Sequence, residues 1–223
     1  MNVKVKVPTT LSELTLSQYQ KYLKIQSENE DNTFIAQKMI EIFCNLPLEK
    51  VIRMKWRDVK EITEELGELF DKESTFIKKF TYKNQNYGFI PNLDEISFGE
   101  FVDLDSCLQD WQRMHHAMQI LYRPIDIQVR GRYNIKDYDG VLDDEMKDIP
   151  LNIALGSVFF LLNLGKELSE VTMDYFNKGI LEGHSQVKED LMPNGVGIRA
   201  FSRQVKGILE GLKIYPNSGY IKY

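Results

Sequence analysis

The sequence predicts a mainly α protein with a small antiparallel β-sheet, an α+β class, and three observations carry that expectation. Apolar residues recur at helical spacing through most of the chain. Period-two alternation is confined to short stretches at 2–7, 76–90 and 125–133. Finally, a unit of strand, proline and capped helix occurs twice, as VPTTLSELTLSQYQKY at 7–22 and IPNLDEISFGEFVDL at 90–104. With one extra residue after the first proline, the copies match at Pro8/Pro91, Leu11/Leu93, Glu13/Glu95, Leu14/Ile96, Thr15/Ser97, Leu16/Phe98, Gln18/Glu100 and Tyr19/Phe101.

In chain order, Val3, Val5 and Val7 alternate with Lys4 and Lys6, which reads as a half-buried N-terminal strand. Pro8 ends it, because proline lacks the ladder donor. Thr15 can accept a hydrogen bond from a first-turn N–H, and Gln18 can reach back to the N–H of Thr15, a capping box. The helix it opens runs from about 16 to 27. Phe34, Ile35, Met39, Ile42 and Phe43 make a second helix, stopped by Asn45–Pro47 in the sequence NLP. A short helix follows Pro47, and residues 58–71 make another, with Val59, Ile62, Leu66, Leu69 and Phe70 on one face. Residues 76–90 then read as a β-hairpin turned at KNQN, to which the N-terminal strand could pair.

Ser97 and Glu100 repeat the capping box. The helix they open is expected to continue to Tyr122 with a bend near 103–105, and to end at Pro124. Residues 125–133 read as a strand or an extended arm. An acidic run at 137–148 follows, and a long helix begins after Pro150. Its apolar stretch, 149–164, spans about 24 Å at ~1.5 Å per residue, short of the ~30 Å of a bilayer core, so a central core helix is expected and no membrane contact. A glycine-rich hinge, MPNGVG at 192–197, precedes an amphipathic basic helix at about 198–214 and an extended tail. Three regions result. Residues 1–148 form an α+β domain with both strand–proline–helix units, 149–191 a core helix and loop, and 192–223 the hinge, basic helix and arm.

Composition narrows the function. Of 223 residues, 43% are hydrophobic and 27% charged, ordinary values for a globular protein. A net charge of −5 argues against a dedicated nucleic-acid binder. Cys44 and Cys107 have no paired spacing and read as buried thiols in a reducing compartment. The N-terminal MNVKVKV is too short and too charged for a signal peptide.

No candidate chemistry survives its structural requirements. His115 and His116 are adjacent, so on a helix they should point about 100° apart rather than share a metal. His184 stands alone. Gly195–Ala200 in the sequence GVGIRA fits the dinucleotide fingerprint formally, but KEDLMP before it is no strand. The acidic run lacks a glycine at the sixth position and the 12-residue spacing of a calcium loop and reads as a solvated face or an electrostatic docking surface. No serine elbow or phosphate-cradling loop occurs. The expectation is therefore a protein with no catalytic residues, cofactor or metal.

The second unit, Ile90-Pro91-Asn92-Leu93-Asp94-Glu95-Ile96-Ser97-Phe98-Gly99-Glu100-Phe101-Val102-Asp103-Leu104-Asp105, resembles proteins of tailed bacteriophages, including crAss-like phages. WQRMHHAM at 111–118 and LYRPI at 121–125 add to the likeness, which covers roughly residues 7–125. The resemblance implies a non-enzymatic virion protein, built into the head–tail apparatus or packaged in the particle, with other phage structural proteins or further copies of itself as partners. A second class is a tail assembly chaperone that acts in the host cytoplasm and is absent from the mature virion. Within 198–223, Arg199, Arg203, Lys206, Lys213 and Lys222 stand against Glu210 alone. Arg199, Arg203 and Lys206, with Tyr215, Tyr220 and Tyr223, are the candidate partner-docking residues.

Overall fold

The computed structural model describes residues 5–181, with side chains for 5–166. Its residues divide into one compact unit ending at Gly156 and a second beginning at Ser157. The first unit holds the sheet and most of the helices.

The chain opens on the capping device. Val5 and Val7 are half-buried and Lys6 is exposed, as the alternation implies, yet 5–7 form no strand. This corrects the expected N-terminal strand; residues 1–4 lie outside the described residues. Alternation fixes which side chains turn inward but supplies no hydrogen-bonding edge. The chain instead turns through a 3-10 segment at Leu11–Glu13, with Lys6 Nζ 3.4 Å from Glu13 Oε2. Helix α1 (Leu16–Glu28) starts from Thr15 with both halves of the capping box made. The Gln18 N–H donates to Thr15 Oγ1 at 3.2 Å, and the Thr15 N–H donates to Gln18 Oε1 at 2.9 Å.

Three more helices make the helical module. In α2 (Asn32–Phe43) the Asp31 carboxylate caps the N–H groups of Thr33 and Phe34. Asn45 (φ 49°) then turns the chain into α3 (Leu48–Ile52), followed by α4 (Trp56–Phe70). Tyr19, Tyr22, Phe43 and Phe70 interlock at ring-centroid distances of 5.0–5.5 Å, so α1, α2 and α4 share one apolar core.

The sheet has four antiparallel strands in sequence order, β1 (Lys79–Tyr82), β2 (Gln85–Phe89), β3 (Tyr122–Val129) and β4 (Arg132–Ile135). The first hairpin is where the sequence puts it. Lys83 and Asn84 both take positive φ, the conformation a two-residue hairpin turn requires. A second hairpin replaces the single strand or arm expected at 125–133, because Arg130 (φ 49°) and Gly131 (φ 84°) turn the chain the same way.

Between the hairpins the expected single helix is two. Helix α5 (Phe98–Leu108) ends near Gln109, where Asp110 caps a new 3-10 turn by accepting from the Gln112 N–H at 2.9 Å. Helix α6 (Met114–Leu121) follows and ends three residues before Pro124. Pro124 sits inside β3 opposite Tyr87, next to the register shift between Ile125 and Ile127.

The long helix after Pro150 is α7 (Leu151–Leu181). Within the first unit Leu151, Ile153, Ala154 and Leu155 are all buried. Its first turn is sewn to the start of α1. The Leu16 N–H donates to Ile149 O at 3.0 Å, and the Leu151 N–H donates to Leu14 O at 2.9 Å. Among the described residues no helix is long and apolar enough to cross a membrane. Cys44 and Cys107 are free thiols, the first half-buried and the second buried.

Candidate functional site

The two repeated units differ in what their helices face, and that difference locates the candidate site. In the first unit Leu16 is 0% exposed and Tyr19 3%. Tyr19 packs against Phe70 and, edge-on, against Trp111. Their counterparts in the second unit point outward. Phe98 is 83% exposed and Phe101 41%, and Val102 beside them is 46% exposed. Positions i, i+3 and i+4 fall on one face of a helix, so these three side chains form a contiguous apolar stripe on α5. Leaving a large apolar group in water forfeits about 1.5–3 kcal/mol per side chain relative to burying it.

Side-chain bonds tie down the start of the helix that carries the stripe. The Ser97 N–H donates to Glu100 Oε2 at 2.7 Å, and the Glu100 N–H donates to Ser97 Oγ at 3.2 Å, so the second capping box is complete. The Glu100 carboxylate is buried and accepts from Arg123 Nη1 on β3 at 2.7 Å. Burial pushes its pKa up, but the two Ser97 hydrogen bonds and the Arg123 guanidinium outweigh this and hold it below the usual value. The helix start is thereby fastened to the sheet by a charged pair. An open cavity of about 480 Å³ lies alongside, lined in part by Ser97, Glu100, Arg123, Asn134 and Lys136. Arg123 Nε is buried there with no hydrogen-bond partner among the described residues.

The surroundings of the stripe are acidic. Residues 91–110 carry Asp94, Glu95, Glu100, Asp103, Asp105 and Asp110 and no lysine or arginine. Asp94 and Glu95 precede the stripe, and Asp105 follows it one turn on. The acidic run at 137–148 is more committed than the sequence suggests. Asp143 accepts from Gln119, Asp144 from His115, Glu145 from Tyr87 and Asp148 from Ser17. It clamps α1, β2 and α6 while its carboxylates stay on the surface.

His115 and His116 correct the expectation that adjacency keeps two histidines apart. One donor atom from each, and one from Asp144, lie within 4.8 Å of one another. The donor chemistry nevertheless disfavours a cation. The Gln20 side-chain amide donates to Trp111 O at 2.7 Å and sits 3.1 Å from His115 Nδ1, which must therefore accept. That places the ring proton on Nε2, 3.1 Å from Asp144 Oδ1. The Lys147 ammonium holds the other Asp144 oxygen at 3.0 Å. A metal at this point would meet an N–H and a lysine. Burial lowers the pKa of both histidines, and each feels a further positive neighbour, His116 for His115 and Arg113 for His116.

Arg199, Arg203, Lys206, Tyr215, Tyr220 and Tyr223 lie outside the described residues, as do His184 and the glycine pattern at 195–200. Sequence reading missed Phe98, Phe101 and Val102 as site residues. The signal was present in the repeat alignment, but equal apolar positions conceal unequal burial. Comparison with family models, with curated proteins and with solved structures gives no match for this chain.

Proposed function

We propose that this chain is a non-enzymatic virion protein of a tailed bacteriophage, built into the head–tail apparatus or packaged in the particle. It works through protein–protein contacts at the outer face of α5. The observation that carries this reading is the internal comparison. One helix position set, used twice, is buried at Leu16 and Tyr19 in the first unit, where Tyr19 packs on Phe70 and Trp111, and open at Phe98 and Phe101 in the second. An apolar face seated on a capped, sheet-fastened helix is preorganised, so little ordering cost attends its burial by a partner. The phage resemblance runs through this same helix.

Mass spectrometry of purified particles from the producing host tests the proposal. The chain should be present, and a Phe98→Ser/Phe101→Ser chain should be folded but depleted from particles. Absence of the unaltered chain from particles, together with rescue of a tail protein's solubility on co-expression, would move it to the tail assembly chaperones. Such a chaperone would use the same open face.

A further inference from the structure

We infer that the apolar face of α5 receives residues 198–214 of a second copy of this chain. The inference rests on the reading above, that this face is a contact surface, and adds the identity of what covers it.

The occupant must satisfy two chemical demands. It must present apolar side chains to Phe98, Phe101 and Val102, and it must suit an acidic margin in which Asp94 and Glu95 are exposed and 91–110 contains no lysine or arginine. The first unit shows the form such cover takes, since Tyr19 packs against the rings of Phe70 and Trp111 from other helical segments. Residues 198–214 meet both demands. Ile198, Phe201, Val205, Ile208, Leu209 and Leu212 recur at helical spacing, and that spacing sets Arg199, Arg203 and Lys206 apart from the apolar stripe. Arginine is the better partner for exposed carboxylates at an apolar margin, because its planar fork is less strongly hydrated than an ammonium.

Seated on a neighbour, the segment links copies, which distinguishes it from contact with the chain's own face. An interface between α5 of one copy and 198–214 of another joins two different surfaces. It propagates from copy to copy and closes into a ring or runs on as a filament.

The test is sedimentation of the full chain across a concentration series. The unaltered protein should self-associate. Phe98→Ser/Phe101→Ser and Arg199→Glu/Arg203→Glu/Lys206→Glu should each weaken association by about tenfold or more. Circular dichroism should confirm that both remain folded. An equimolar mixture of the two variants should regain a complex, since one supplies an intact segment and the other an intact face. A chain that stays monomeric at all concentrations overturns the inference, as does association that neither variant alters. If the chain is monomeric yet Phe98→Ser/Phe101→Ser still removes it from particles, the face binds a different protein and the proposed function stands without this occupant.

Discussion

His115 is the residue whose environment most constrains behaviour in solution. It is 4% exposed and held between the Gln20 amide and Asp144. Burial, with His116 beside it, lowers its folded-state pKa below the ordinary value of 6.5. The unfolded chain then binds more protons than the folded one as pH falls through and below that value. The contribution to stability is complete above about pH 6.5 and is lost as pH falls toward the folded value. His116 shifts the same way. The thermal midpoint should therefore drop between about pH 7 and pH 5, a window above most carboxylate titrations. In His115→Gln/His116→Gln that drop should be largely flattened; an equally steep drop in the variant would assign it to other groups. Gly156 makes a second residue-scale case. Alanine at an interior helix position normally gains about 1 kcal/mol over glycine. Here a Cβ would clash with Thr75 O, a backbone atom that cannot swing aside. Overpacking should win, and Gly156→Ala should destabilise by about 2 kcal/mol in urea unfolding. A stabilised variant would show that the 75–76 segment yields freely.

The two capped helices give the sharpest comparison at the scale of elements. Leu16 and Phe98 occupy the same position after equivalent caps, yet one is buried and the other exposed. Leu16→Ser removes a core side chain and buries a hydroxyl, and should cost about 3 kcal/mol or more. Phe98→Ser should change stability by no more than about 0.5 kcal/mol in the isolated protein. Equal costs in chemical denaturation would mean that the second face is covered within the chain. The same pair shows what a sequence can disclose. Caps, helix periods and the Lys83-Asn84 turn are local chemistry, so α1 to α4, the first hairpin and both helix starts were legible. The break between α5 and α6 depends on Asp110 capping a turn in the midst of an unbroken apolar pattern, which periodicity alone does not expose. The Arg130-Gly131 turn was hidden by alternation running straight through it. Strand pairing is non-local. Val5 and Val7 alternate as strand residues do, yet 5–7 join no strand. The α5 face escaped notice for a related reason, because burial depends on which other segments arrive.

For the whole molecule the governing quantity is the arrangement of charge. At a net −5 the chain is acidic enough for copies to repel weakly, and that alone favours monomers. The distribution is uneven. Residues 91–110 carry six acids and no lysine or arginine of their own, while Arg199, Arg203, Lys206, Lys213 and Lys222 stand against Glu210 alone within 198–223. Attraction between unlike segments of different copies can therefore outweigh the repulsion of the averages. Salt separates the two contributions. The Debye length falls from about 10 Å at 0.1 M to about 3 Å at 1 M, which suppresses contacts between exposed charges but leaves apolar burial in place. If 198–214 seats on α5, raising sodium chloride from about 0.05 M to 0.5 M should weaken self-association several-fold without abolishing it. The residual association should then disappear in Phe98→Ser/Phe101→Ser. Association that strengthens steadily with salt would point to an interface between two acidic surfaces, in which screening relieves repulsion. It would place the contact on like faces of two copies rather than between the acidic helix and the basic segment.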